Sequence, residues 1–258
     1  SLTVEARLTL CNMAVEFSAF TGIIAPDDKV FEYLKGRPYA PSGESWQQAK
    51  EYWATLSTDD GAHFDQEIVI DCATISPTVT WGTSPQEAIS VDGQVPPLVL
   101  EEGDARRSME QSLAYMGLKP GQSIQGLPIQ VAFIGSCTNS RLSDLRIAAA
   151  ILKGRKVASG VRAICVPGST QVKQAAEKEG LDQIFLNAGF EWRESGCSMC
   201  FYAGGEGFVS GERVITSTNR NFEGRQGPGC RSHLASPATV AASAINGAIT
   251  DSRKMGAL

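Results

Sequence analysis

From Ile129 to Ile249 short apolar runs alternate with amphipathic ones, and this alternation restricts the fold more than any other feature of the chain. IQVAFIGS at 129–136 has the length and composition of a buried strand. SRLSDLRIAAAILKG at 140–154 has helical spacing and stops at Gly154. VRAICVPG reads as the next strand, STQVKQAAEKEGL as a helix starting at Ser169 or Thr170, and RVITSTN at 213–219 as another strand. SPATVAASAINGAI at 236–249 is a helix with Ser236 as N-cap and Pro237 in the first position. Such alternation calls for parallel strands joined by right-handed crossovers. The expected fold class is α/β, with three-layer α/β/α domains and mainly parallel sheets.

In sheets of this kind ligands bind beyond the carboxyl ends of the strands. Three loops are expected to meet there: GSCTNSR, ESGCSMC and NRNFEGRQGPG. They carry Cys137, Cys197 and Cys200, with Arg220 and Arg225. Asn219 and Asn221, beside the arginines, favour function over a solvated surface loop.

The preceding half is less regular. Residues 2–20 have apolar side chains at helical spacing, with Glu5, Arg7 and Glu16 between them. SWQQAKEYWATL at 45–56 is helix-like with Ser45 as N-cap, and EIVIDCATI at 67–75 reads as a strand. Ser76 to Gly103 is rich in Pro, Gly, Ser and Thr and reads as a long connection. ARRSMEQSLAYMGL after it is a helix. The expected domains are 1–75, a helix-rich partial α/β domain, and 76–258, an α/β/α domain.

A net charge of -5 gives no pull toward nucleic acid or an anionic membrane. No apolar run approaches the ~20 residues that span a bilayer. Seven cysteines, an odd number in a chain this long, favour a reducing, cytoplasmic setting with some thiols as ligands. Cys11, Cys72, Cys165 and Cys230 read as structural, Cys72 and Cys165 within strands. His63 and His233 read as ordinary polar residues.

Three cysteines on two loops are one short of a closed four-thiolate site. His233, near Cys230, is the one histidine that would complete a zinc site. A [4Fe–4S] cluster held by three thiolates instead leaves one iron open to a substrate oxygen. The guanidinium fork of a nearby arginine suits a carboxylate. A Cys-x-x-Cys redox pair is the remaining reading.

GSCTNSR, GCSMC and TSTNRNFEGRQG together resemble the aconitase superfamily. CNMAVEFSAFTGIIAPDDKVFEYLKGRPYAP and ATISPTVTWGTSP are similar to its isopropylmalate isomerase branch, and the resemblance covers essentially the whole chain. It implies one [4Fe–4S] cluster on Cys137, Cys197 and Cys200, which a purified fragment can lack. It implies Arg220 and Arg225 as carboxylate binders, Asn12, Asn139 and Asn219 as polar neighbours of the cluster, and Glu16 as the group that moves the proton of the hydroxyl or water. The implied reaction dehydrates a 2-hydroxy dicarboxylate and rehydrates it at the neighbouring carbon, in leucine biosynthesis. Homoaconitate and citrate are the alternative substrates, and an RNA-binding or zinc module the non-enzymatic ones.

Two features depart from the family pattern. FYAGGEGFVSGER follows the second Cys of the pair, where an aliphatic, Met-Asn-Pro-rich stretch is usual, and Cys230 stands where a small residue is usual. The family also has an N-terminal domain with an Asp-His pair, not found in this sequence, and in this branch a separate small swivelling subunit. The sequence therefore reads as the middle and C-terminal part of a large subunit, expected to pair with that small subunit as a heterodimer and to be inactive alone.

Overall fold

The computed structural model describes residues 2–98 and 103–256, and the backbone alone of Phe17. The chain divides into two compact units, Ser1–Ala73 and Thr74–Leu258. No described helix is long and apolar enough to cross a membrane.

The first unit is built from helices. α1 (Val4–Asn12) starts at Thr3, whose hydroxyl accepts from the Ala6 amide at 3.2 Å. A 3-10 turn over Met13–Phe17 follows and ends at Ser18 in the left-handed region. α2 (Asp28–Leu34) is capped by Asp27, which also takes a two-armed ion pair from Arg7 of α1 at 2.8 and 2.6 Å. α3 (Glu44–Ala54) sets Trp53 against Phe31 and Trp46. No described side chain of this unit is buried.

Two expectations fail here. Gly43, not Ser45, occupies the N-cap of α3. EIVIDCATI is not a strand: residues 67–71 have no regular structure and Cys72–Thr74 form a 3-10 turn. Its β-branched residues have the right propensity, but a strand exists only by pairing, and no strand of the described residues pairs with it. Ile68, Val69 and Ile70 are consequently exposed, and so is Cys72.

The second unit holds the core. The stretch from Ser76 is not a linker at its start. β1 (Thr78–Thr80) and β2 (Ala88–Ser90) pair antiparallel, and Val79, Trp81, Val91 and Val95 around them are buried. Residues 99–102 of that stretch lie outside the described residues. α4 (Gly103–Met116) follows.

Five parallel strands then form one sheet in the order β5-β4-β3-β6-β7. They are β3 (Val131–Ile134), β4 (Arg162–Cys165), β5 (Phe190–Trp192), β6 (Arg213–Thr216) and β7 (Arg231–Leu234). α5 (Leu142–Leu152) links β3 to β4, and α6 (Thr170–Lys178) and α7 (Leu181–Ala188) link β4 to β5. α8 (Pro237–Asn246) follows β7, with the Ser236 hydroxyl accepting from the Thr239 amide and Pro237 at its first position. Ser169 caps α6 in the same way.

The two faces of the sheet alternate along each strand. Ala132, Ile134, Ala163, Cys165 and Ile215 pack with Leu145, Phe185 and Val240 of the helices. Val131, Phe133, Ile164, Val166 and Val214 pack instead against Met199, Cys200, Phe208 and Cys230. Each fully buried side chain of this size contributes about 1.5–3 kcal/mol. The second of these faces is thus covered by the segment that carries the Cys-x-x-Cys pair, which fixes that pair to the rigid centre of the sheet.

Candidate active site

The chain leaves β3 toward β4 and β5, then returns to the other side of β3 for β6 and β7. The strand order therefore reverses between β3 and β6, and a crevice opens beyond their carboxyl ends. The loop after β3 carries Cys137, and the loop after β6 carries Asn219, Arg220 and Arg225. Ser217 locks these loops together. Its hydroxyl donates to the Asn139 carbonyl at 3.1 Å and accepts from the Gly135 amide at 3.1 Å, while its carbonyl accepts from Asn139 Nδ2 at 2.8 Å.

The thiol-bearing loops approach one another at Ser136 and Cys200. The Ser136 hydroxyl lies 4.0 Å from Cys137 Sγ, and Ser136 and Cys197 both lie near enough to Cys200 to influence its thiol. Ser136 has φ 81° and Ser198 φ 46°, so both thiol-bearing loops hold a serine in the left-handed region. Non-glycine residues persist there only when their surroundings enforce it, and such residues cluster at functional sites. Cys137 and Cys197 are exposed and Cys200 is buried. Burial pushes the Cys200 thiol up to about 11, the neighbouring Cys197 adds to this, and the Arg225 charge opposes it. Arg225 thus sits close to Cys200.

Arg225 lies between two rings, its Cζ 4.9 Å from the Phe201 centroid and 5.3 Å from that of Phe222. Its Nε is buried with no hydrogen-bond partner, and the same holds for Asn219 Nδ2. Two donors on the loop after β6 are therefore held without an internal acceptor, an arrangement suited to an incoming anionic ligand. Asn221 has a different role. Its Nδ2 donates to the Gly82 carbonyl at 2.8 Å and to Thr80 Oγ1 at 3.2 Å, so it pins the arginine loop to the β1–β2 hairpin.

Gln226 is a site residue that no spacing or motif reading singles out. It is fully buried; its Nε2 donates to the Met199 carbonyl at 2.9 Å and its Oε1 accepts from Ser232 at 2.8 Å. It thereby fixes the turn between Cys197 and Cys200 to the sheet. Asn12 and Glu16 belong to the first unit, at the end of α1 and in the 3-10 turn after it.

The zinc reading fails on His233. That residue is fully buried in β7, with Nδ1 2.7 Å from the Thr80 carbonyl and Nε2 2.7 Å from Arg213 Nη1. The carbonyl only accepts, so Nδ1 donates to it and Nε2 accepts from Arg213, which leaves no lone pair for a metal. Among the described residues no three His, Cys, Asp or Glu side chains form a set for a single metal ion. Cys230 is buried beside Ser232 at 3.5 Å, and burial raises its thiol to about 11. Cys165 is buried in β4, as expected.

Burial, reinforced by the Arg213 charge, lowers the His233 pKa to about 3. The unfolded chain takes up that proton near its ordinary value of about 6.5. Between these values the unfolded state binds more protons, so stability is lost as the pH is lowered, by up to about 1.4 kcal/mol per unit. Asp27 and Glu206, held at about 2 by arginines, remain ionised down to pH 5 and do not contribute above it. Urea unfolding at pH 7 and pH 5 is expected to show this loss in the wild type and a much smaller one in His233→Gln.

A family model described as the aconitase family (aconitate hydratase) matches residues 1–247. The chain is 65% identical over 255 residues to a 3-isopropylmalate dehydratase large subunit of Cupriavidus necator, a match covering 98% of this chain and 96% of that one. It is 56% identical to 3-isopropylmalate dehydratase large subunit 1 of Bradyrhizobium diazoefficiens and 52% identical to the large subunit of Roseiflexus castenholzii, again over 98% of this chain. The chain spans 54% of the length of each of these last two relatives.

Proposed function

The chain belongs to the aconitase family, and from that premise we propose that it is the cluster-bearing part of a hydro-lyase that interconverts 2-isopropylmalate and 3-isopropylmalate by dehydration and rehydration. The observation that supports this most is that Cys197, Arg225 and Ser136 all lie close enough to Cys200 to influence its thiol, with Cys137 Sγ 4.0 Å from the Ser136 hydroxyl. The donor set fits a [4Fe–4S] cluster with three thiolate ligands, because Cys137 on one loop and the Cys197–Cys200 pair on another supply three soft thiol donors near the same edge of the sheet. When bound, such a cluster supplies a Lewis-acidic iron to a substrate oxygen.

The residues of this chain do the remaining work. Arg225 and Arg220 bind substrate carboxylates, Arg225 with a fork already held between two rings. Asn219 donates its buried Nδ2 to a ligand oxygen, with Asn139 and Asn12 as further polar neighbours. Glu16 moves the proton of the departing hydroxyl. A small subunit completes the enzyme and supplies the second proton-transfer group, and the chain without it does not turn over. The names of the relatives favour isopropylmalate over homoaconitate or citrate.

Anaerobic reconstitution with iron and sulfide tests the reading. The expected result is about four irons and four sulfides per chain. One zinc per chain with no sulfide, or no iron at all, would overturn it.

A further inference from the structure

The segment from Phe201 to Phe208 contributes no thiol, yet it is built onto the arginine loop. The Tyr202 amide donates to the Arg225 carbonyl at 2.8 Å, and the Phe208 amide to the Gln226 carbonyl at 2.8 Å. Gly227 lies so close to Phe208 that a Cβ there would collide with the Phe208 backbone. Farther along, Glu206 is gripped by Arg193 at 2.8 and 3.0 Å and by Arg162 at 2.9 Å. Arg162 belongs to β4 and Arg193 follows β5, so the segment is tied to the arginine loop at both ends and to the sheet through Glu206 between them.

At the Arg225 end the Phe201 and Phe222 rings are each 49% exposed, while Arg225 Nε between them is buried without a partner. A free arginine side chain has many rotamers, and ordering it on ligand binding carries an entropic penalty. Two ring contacts remove much of that penalty in advance, because a guanidinium is attracted to the ring faces. The exposed parts of the rings also border whatever the guanidinium binds. A carboxylate on Arg225 would have its adjoining carbon against phenyl surface, which favours an apolar substituent there and disfavours a charged one.

Resting on the reading of Arg225 as a carboxylate binder, we infer that Phe201 is a positioning and specificity-determining residue: it holds the Arg225 fork beside Cys200 and walls the subsite for an apolar substituent next to the bound carboxylate. The ligand class is a dicarboxylate carrying a branched aliphatic group.

Calorimetric titration of the chain with isopropylsuccinate and with tricarballylate tests this, since neither probe has the hydroxyl that an iron would bind. Wild type is expected to prefer isopropylsuccinate. Phe201→Leu is expected to weaken that probe about five- to tenfold and to erase the preference. Phe201→Tyr should restore both, and Arg225→Lys should lose binding of either probe. Circular dichroism spectra and melting profiles of the variants establish that each is folded. Phe201→Leu binding within twofold of wild type would overturn the inference, as would a wild type that binds neither probe. Failure of the isomerase reading looks different: no iron is incorporated, yet isopropylsuccinate still binds in a Phe201-dependent way.

Discussion

Replacing Cys197 with serine is expected to empty the iron site. After anaerobic reconstitution the iron content should fall from about four per chain to below about one, with sulfide falling in parallel. The thiolate is the ligand, and serine at that position ionises far less readily. Cys137→Ser and Cys200→Ser should behave alike, because the proposed cluster needs all three thiolates. Cys230→Ser is the informative control. Cys230 packs in the same cluster of buried side chains as Cys200, but its thiol is turned to Ser232. It should keep its full iron, and loss of iron in that variant equal to the loss in Cys197→Ser would show the ligand set to be wrong.

Replacing Arg225 with glutamine should reduce kcat/KM for isopropylmalate about 100-fold in the chain assembled with the proposed small subunit. A charged hydrogen bond to a carboxylate contributes about 1.5–3 kcal/mol, and a fork makes two. Lysine should rescue little, since it offers a point charge without the planar fork. The fold should survive, because the Arg225 backbone carbonyl, not its side chain, binds the Tyr202 amide. Steady-state kinetics over a range of substrate concentrations decides the matter. A loss smaller than about threefold would mean that Arg225 only fills the gap between two rings.

The two-sided packing of β3, β4 and β6 made them legible, since strands buried on both faces read as unbroken apolar runs. β7 escaped because RSHL is polar, and its buried His233 is satisfied by Arg213 and Thr80, partners remote in sequence. The β1–β2 hairpin escaped because its strands are three residues long among turn formers. EIVIDCATI misled in the opposite direction, as propensity without a partner strand. The thiols and arginines of the proposed site stand out as motifs because their chemistry is tied to residue type. Gln226 and Ser217 could not, since either would pass for an ordinary loop residue until its hydrogen bonds are seen. Asn221 looked functional by its neighbours and instead secures the hairpin.

The absence of any buried side chain among the described residues of the first unit sets it apart energetically from the sheet. Segments with few buried apolar contacts open at low free energy, whereas a core strand opens only with global unfolding. Amide protons along α1 will therefore trade with solvent long before those of β3, and a protease will cut the turn after α1 while the sheet stays intact. Asn12 and Glu16 ride on that easily opened stretch, whereas Cys137, Cys200 and Arg225 are set in the part of the molecule that opens last.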